Sequence, residues 1–293
     1  SRKSKMCIRD SNDNIASAQK VDGDLSDYDI SYTKITPAHY GETKIIVRYI
    51  DEDNPENNKS AVANVTVLGY ADDYRTAPHM GSGDEFTVAL KADGTVWTWG
   101  KNTEGQLGQG GRTSDRNIIP TQVTFSGLAS NAYITKIAVG KAHVVALDSD
   151  GNIWTWGDNT YGQLGDGTYG TSNVDKFVPR QVRIGQNESN TKLLTNIKYV
   201  AAGANSSAAI DQDGLLYVWG NNDNGQLGVD GKIVAYPTLV EALKDNPATP
   251  NADETILVSA VELSESHTII IDALTKRAYT WGKNDRNQLG YQQ

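Results

Sequence analysis

The stretch Gly94-Thr95-Val96-Trp97-Thr98-Trp99-Gly100, followed by Gly105-Gln106-Leu107-Gly108, decides the fold because its pattern occurs four times. The spacing between the last tryptophan and the glutamine is the same in every copy, whereas the connections between copies vary in length. A fixed motif with variable connections indicates one supersecondary unit repeated in space. The motif residues of the other three copies are Gly151, Trp154, Trp156, Gly157, Gly162, Gln163, Leu164 and Gly165; Gly214, Trp219, Gly220, Gly225, Gln226, Leu227 and Gly228; and Trp281, Gly282, Gln288, Leu289 and Gly290.

Each copy is predicted to form four short antiparallel strands. In the second copy these cover residues 135–139, 143–147, 152–156 and 180–184. Gly151, like Gly94 and Gly214, should supply the positive φ that the turn between the second and third strands requires. Trp154 and Trp156 are two residues apart, so both side chains project from one face of their strand.

The Gly-Gln-Leu-Gly segments are predicted to close a loop onto each strand unit. Their single leucine is an apolar anchor between glycines. A buried glutamine must find hydrogen-bond partners, so Gln106, Gln163, Gln226 and Gln288 are expected to bond to backbone groups and to tie one unit to its neighbour.

The combination of Ala-Leu, Asp-Gly, Trp-x-Trp-Gly and Gly-Gln-Leu-Gly resembles the regulator-of-chromosome-condensation repeat over residues 83–290. The resemblance implies an all-β propeller, in a family that typically closes with seven blades. The fourth copy departs from the pattern, with Asp272–Arg277 in place of the Asp-Gly turn and Asn287 in place of a glycine. It also ends before the strand that Pro120, Pro179 and Pro237 introduce in the other copies. We therefore expect three full four-stranded blades plus one truncated blade, in a fragment of a longer protein.

The chain ahead of the repeats is predicted to hold a second module. Two β-branched runs, residues 43–50 and 61–68, flank a polar loop and read as an antiparallel pair. The pair resembles the last hairpin of a bacterial immunoglobulin-like domain, a β-sandwich. We assign residues 1–30 to a poorly ordered segment, whose first eleven residues resemble translated adapter sequence of metagenomic reading frames. Residues 31–70 are assigned to the immunoglobulin-like module, 71–82 to a linker and 83–293 to the propeller.

Composition excludes several classes of partner. The net charge of −9 and the pI of about 4.9 argue against binding to nucleic acid or to anionic membranes. No apolar run approaches the roughly 18 residues of a membrane helix. The single cysteine, Cys7, excludes an internal disulfide framework. The immunoglobulin-like resemblance favours an extracellular or bacterial cell-surface location, with a cytoplasmic location as the alternative, although no signal peptide pattern is visible.

Neither a metal nor a catalytic residue is predicted. Two acidic clusters could supply calcium oxygens, but the EF-hand spacing is absent and solvated loops are expected instead. His143 and His267 occupy a repeat position that Phe86 and Ser206 fill in the other copies, so a structural role is expected for them. No Lys-Ser or Lys-Thr follows the glycines at 108–111, which excludes a phosphate-binding loop and leaves no cofactor expected. The two clusters are Asp22, Asp24, Asp27 and Asp29, and Asp51, Asp53 and Glu56.

Function is predicted to lie in the variable loops at the rim of the blades. The first hypothesis is a non-enzymatic protein that binds a protein partner or an extracellular ligand. The alternative is a guanine-nucleotide exchange factor for a small GTPase, which is the activity of the family's founding member. Glycan hydrolysis would need a carboxylate pair at a defined separation. The tryptophans could stack a ligand, but core packing is expected for them. The candidate loops are residues 110–119, 127–133, 166–177, 185–195, 229–235 and 243–255.

Overall fold

The computed structural model describes residues 75–290 except 171–173, 186–191 and 244–254, together with five strands ahead of residue 75. The chain divides into two compact units, Ser1–Tyr74 and Arg75–Gln293. Within the described part of the chain, no helix has the length and apolar character needed to cross a membrane.

The first unit contains the predicted strand pair. The strands β4 (Gly41–Asp51) and β5 (Lys59–Val67) are antiparallel, with Ile46 opposite Val62. The strand β1 (Ser4–Asp10) pairs with the other edge of β4, while β2 (Ala16–Lys20) pairs with β3 (Thr33–Pro37). Both β1 and β2 therefore lie in the segment that was expected to be poorly ordered.

The predicted acidic clusters fall mainly outside the described residues. The four aspartates between residues 22 and 29 lie outside the described residues, and so do Asp53 and Glu56. Asp51 is the last residue of β4. The binding of calcium by these clusters therefore stays an untested alternative.

The second unit consists of four antiparallel sheets, each of which follows the chain strand by strand. Three sheets have four strands and the last has three, which confirms the all-β prediction for the described residues. Sheet 1 contains β6 (His79–Ser82), β7 (Phe86–Leu90), β8 (Val96–Asn102) and β9 (Thr113–Gln122). Sheet 2 contains β10 (Ile134–Val139), β11 (His143–Asp148), β12 (Ile153–Gly157) and β13 (Arg180–Gln181). Sheet 3 contains β14 (Ile197–Ala202), β15 (Ser206–Asp211), β16 (Leu216–Asn221) and β17 (Ile233–Leu239), and sheet 4 contains β18 (Val258–Leu263), β19 (His267–Asp272) and β20 (Ala278–Gly282).

Strands occupy several segments that the sequence assigned to loops or to the linker. β6 lies within residues 71–82 and pairs with β7. β9 covers most of the loop predicted at 110–119, and β17 begins inside the loop predicted at 229–235. The outer strands pass through a bulge, because Gly100 pairs with Asn117 whereas Thr98 pairs with Thr121. An edge strand that is exposed and bulged has no regular apolar alternation, so its sequence resembles a loop. Conversely, β13 ends at Gln181, before the predicted end at residue 184.

The turns between second and third strands have the predicted conformation. Gly94, Gly151 and Gly214 have φ values of 81°, 80° and 89°. In the divergent fourth copy, Lys276 and Asn287 hold positive φ values of 61° and 59° without being glycines. Both residues carry a Cβ in a region that disfavours one, whereas glycine holds the equivalent positions of the first three copies.

The tryptophans of sheet 2 face sheet 1 and form the centre of one core. Trp154 and Trp156 are buried against Val88 and Leu107 of sheet 1. Phe125 packs edge-on to both indoles, with ring centroids 5.6 and 5.7 Å away. Trp219 is buried in the same way between sheets 3 and 2. Core packing is thus confirmed for these three.

The remaining tryptophans are half-buried. Trp97 and Trp99 alternate along β8 with the buried Val96 and Thr98, so they lie on the face of sheet 1 opposite to its core with sheet 2. Trp281 faces sheet 3 but stays partly exposed in sheet 4, which has three strands. One repeat position therefore has different burial according to its neighbours.

Replacing Trp156 by alanine should lower the free energy of unfolding by about 3–5 kcal/mol, because a fully buried indole leaves a large cavity. Trp99→Ala is the matched control, since Trp99 holds the same repeat position with partial exposure. Its loss should be smaller by at least about 1 kcal/mol. Urea unfolding followed by circular dichroism measures both, and equal losses would contradict the burial difference.

Candidate protein-interaction surface

Neighbouring sheets are joined by a hydrogen bond from a tryptophan to a glutamine main chain. Trp156 Nε1 donates to the carbonyl oxygen of Gln106 at 3.0 Å, and Trp219 Nε1 donates to that of Gln163 at 2.8 Å. In both cases the glutamine belongs to the preceding sheet. At the third junction Thr268 Oγ1 donates to the carbonyl of Gln226, while Trp281 Nε1 has no partner among the described residues.

The glutamine side chains form hydrogen bonds within their own loops. In each loop Oε1 accepts a hydrogen bond from the backbone N–H two residues earlier, as from Glu104 to Gln106 at 2.8 Å. One side chain also crosses a junction, since Gln226 Nε2 donates to the carbonyl of Glu265 at 3.2 Å. The glutamines do bond to backbone groups, but the main-chain carbonyl makes most of the ties between sheets.

An asparagine three residues after each Trp-Gly tryptophan fixes the leucine of the loop, and sequence reasoning missed it. Its Oδ1 accepts the leucine N–H at 2.8–3.1 Å in all four copies. The signal was present, because the same residue type recurs at the same spacing. These residues are Asn102, Asn159, Asn222 and Asn284.

In sheets 2 and 3 the outer segment contacts the loop of the preceding sheet: in sheet 2 this is the 3-10 helix ahead of β13, and in sheet 3 it is β17 itself. The carbonyl of Phe177 accepts from Gly110 N at 2.9 Å, and that of Ala235 accepts from Gly167 N at 3.0 Å. A Cβ on Gly162 would lie 2.9 Å from the Cα of Ala235. This contact sets the position of the rim surface relative to the core.

Two grooves follow these outer strands, and we name each after its strand. The β17 groove, of about 780 Å³, lies between Ile184 and β17 and is lined by Ile233, Tyr236 and Leu239. The β13 groove, of about 620 Å³, is floored by Trp154. Each groove runs along the exposed edge of its sheet, where a partner could reach it.

The two grooves carry opposite charges at equivalent repeat positions. Arg183 follows Pro179 in the β13 groove at the spacing with which Glu241 follows Pro237 in the β17 groove. Both side chains are exposed. At one repeat position, sheet 2 therefore exposes the basic Arg183 and sheet 3 the acidic Glu241.

Most exposed large apolar side chains lie on outer strands and connecting loops, while Met80 is exposed on the inner strand β6 and Ile269 on β19. Ile118 is 82% exposed, Tyr169 60% and Leu274 73%. Of the predicted loops, 127–133 forms turns, and 166–177 carries Tyr169 and ends in a 3-10 helix, Val174–Phe177. Parts of 185–195 and 243–255 lie outside the described residues. Exposed apolar groups of this kind suit contact with another protein.

His143 lies fully buried at the junction of sheets 2 and 3. Its Nε2 is 2.9 Å from Ser207 Oγ, which donates to the carbonyl of Gln163 at 2.8 Å. Because that hydroxyl proton is already donated, Nε2 carries a hydrogen and donates it to Ser207. Burial lowers the pKa of His143 from 6.5 to about 4, against the opposing attraction of Asp158. The residue supports the junction between sheets.

The second repeat histidine also has a structural environment. Ser264 Oγ lies 2.6 Å from Nδ1 of His267, at the position where the other sheets have a glycine. In the described residues, no group of three or more His, Cys, Asp or Glu side chains is placed to hold a metal ion. The two repeat histidines thus have structural hydrogen bonds, and the surfaces open to a partner are the grooves and exposed loops described above.

Comparisons with known proteins agree with this architecture. A family model described as an RCC1-like domain matches residues 48–293. The match begins inside β4, within the segment assigned to the immunoglobulin-like module, so that assignment stays a prediction.

Relatives are found in larger proteins. The human E3 ubiquitin-protein ligase HERC2 is 30% identical over 213 residues, which cover 72% of this chain and 4% of that protein. Protein pim1 of Schizosaccharomyces pombe is 30% identical over 215 residues, covering 71% of this chain and 35% of its own. The chain therefore spans well under two thirds of these relatives.

Solved structures show the same fold. Human WBSCR16 superimposes with a TM-score of 0.58 and 20% identity, covering 85% of this chain and 61% of that one. Prp20p from Saccharomyces cerevisiae, described with its binding properties to Gsp1p and histones, gives a TM-score of 0.57 and 23% identity. The superposition covers 87% of this chain and 58% of Prp20p.

Gly162→Ala should destabilise the protein more than Gly225→Ala. Both glycines have positive φ, 79° and 68°, so both substitutions cost about 1 kcal/mol in backbone strain. Only the Cβ at Gly162 also meets the backbone of Ala235, whereas nothing lies within 4 Å of that at Gly225. Urea unfolding should show an additional loss of about 1–3 kcal/mol for Gly162→Ala. Equal losses would show that the outer strand does not sit on the loop.

His143→Phe should remove part of the pH dependence of stability. The folded pKa lies below the unfolded value, so the unfolded state takes up the proton first and stability falls as pH decreases from 6.5 towards 4. This group contributes about 2 kcal/mol of loss between pH 6.5 and about 4.5. The variant should lose that slope, while His79→Phe, at an exposed histidine, should retain it. Parallel stability curves for wild type and His143→Phe would contradict the neutral buried ring.

Proposed function

The chain belongs to the RCC1-like domain family, and on that basis we propose that it is a non-enzymatic protein that binds a protein partner through the rim of its propeller. The observation that carries this proposal is the separation of two surfaces. The tryptophan and glutamine positions are committed to the junctions between sheets, whereas the outer strands and loops expose apolar and charged side chains over a fixed framework.

The described geometry also supports the non-enzymatic part of the proposal. Both histidines at the repeat position are hydrogen-bonded to serines: His143 to Ser207 across the junction of sheets 2 and 3, and His267 to Ser264 within sheet 4. A buried ring whose pKa is lowered to about 4 stays neutral and occupied as a structural donor.

Nucleotide exchange on a small GTPase is the second candidate. It is favoured by the family and by the fold shared with Prp20p, whose description includes binding to Gsp1p. Release of a fluorescent guanosine diphosphate from a purified small GTPase separates the two functions. Acceleration of about tenfold or more by this chain would favour exchange, whereas binding without acceleration would favour the first candidate.

An extracellular or cell-surface location is a further part of the proposal. It rests on the resemblance of the β4–β5 pair to a bacterial immunoglobulin-like hairpin. Protease treatment of intact cells that encode the chain tests it, because a surface protein is digested and a cytoplasmic one is protected.

A photo-crosslinking amino acid placed on the rim should capture a recurring protein partner in cells that encode the chain. Suitable exposed positions are Tyr169 in the loop ahead of β13, Ile233 on β17 and Leu274 in the turn between β19 and β20. Ser259, exposed on the inner strand β18, is the control position. We expect one partner at rim positions and little at Ser259, followed by direct binding of the purified partner. Equal capture at Ser259, or none at the rim, would contradict rim binding.

A further inference from the structure

The β17 groove has the backbone of an edge strand along one wall. β17 is the last strand of sheet 3, paired on one side with β16. Val234 pairs with Gly220 and Thr238 with Val218, so residues 235–237 bulge away opposite Trp219 alone. The Ala235 carbonyl already accepts from Gly167 N–H and Pro237 has no N–H, so the side chains along β17, and not backbone pairing, have to provide the contacts of this groove.

The middle of the groove is apolar. Ile233 is 39% exposed, and Tyr236 and Leu239 are half-buried along the same strand. Ile184, from the end of sheet 2, forms part of the opposite wall. At about 3.3 Å per residue, the seven residues of β17 match an extended segment of similar length.

The ends of the groove are acidic. Asp230 precedes β17 and Glu241 follows it, and both are exposed. No lysine, arginine or histidine is among the described residues that line the groove. The β13 groove is different, since it contains Arg180 and Arg183. Charge therefore distinguishes the two grooves on one chain.

We propose that the β17 groove binds an extended segment of a partner protein that has an apolar centre and lysine or arginine at both ends. This proposal rests on the proposed protein-binding function and specifies the segment that is bound. The apolar centre packs on Ile233 and Leu239, and the ends meet Asp230 and Glu241.

The probe is a fluorescein-labelled peptide of about nine residues, with lysines at both ends and alternating valine and threonine between them. Its charge-reversed form carries glutamates at the ends. Fluorescence anisotropy with the full chain should show binding of the lysine peptide and at least about tenfold weaker binding of the glutamate peptide.

Glu241→Arg places in sheet 3 the residue that sheet 2 already has at the equivalent position, Arg183. We expect the lysine peptide to bind this variant at least about tenfold more weakly. Asp115→Arg changes the net charge equally on exposed β9, and Arg183→Glu changes the other groove. Both controls should stay within about twofold of wild type. Thermal melts establish that all three variants are folded.

Equal weakening by Glu241→Arg and Asp115→Arg would reduce the binding to general attraction by an acidic protein and overturn the proposal. Equal binding of both peptides would overturn it as well. Failure here together with a partner captured at Tyr169 or Leu274 would leave rim binding intact and reject only the β17 groove.

Discussion

The hydrogen bond from a tryptophan indole to the carbonyl of the glutamine in the preceding sheet is the interaction on which the rest of this structure depends. It joins chemically different parts of two sheets in a buried setting, where an unpaired carbonyl costs about 1–3 kcal/mol. The glycine after the leucine makes the approach possible, because a Cβ on Gly108 or Gly165 would lie only 2.8 or 2.9 Å from the indole nitrogen. The glutamine and glycine of one copy and the tryptophan of the next copy thus form a single contact between two sheets.

The sequence predicts those parts of the fold that depend on neighbouring residues. The turn glycines, the strand pairs around each Asp-Gly and the buried Trp154 and Trp156 follow from local pattern. The burial of Trp99 does not follow, because it depends on which sheet lies against its face. The outer strands β9 and β17 were assigned partly to loops, since a bulged edge strand lacks regular apolar alternation. The asparagines that hold the leucines could have been found from their constant spacing.

The candidate surface was predicted less fully than the fold. Rim loops were expected to carry contacts, but the grooves arise where the end of one sheet meets the outer strand of the next, and that meeting is tertiary. Arg183 and Glu241 are unremarkable as single residues in the sequence. Their equal spacing from Pro179 and Pro237, and the equivalent pairing of Val182 with Ile153 and of Val240 with Leu216, show that they are alternatives at one position.

Four side chains share another position: Phe86, His143, Ser206 and His267 each begin the second strand of a sheet. The four sheets can therefore be aligned with one another, and each shows one side chain that this position of the common backbone accommodates. In the first three sheets a glycine three residues earlier leaves room for the occupant, since a Cβ at Gly83, Gly140 or Gly203 would meet the side chain of Phe86, His143 or Ser206. Ser264 takes the glycine's place beside His267. One glycine therefore accommodates three different occupants of this position, and only sheet 4 replaces the glycine.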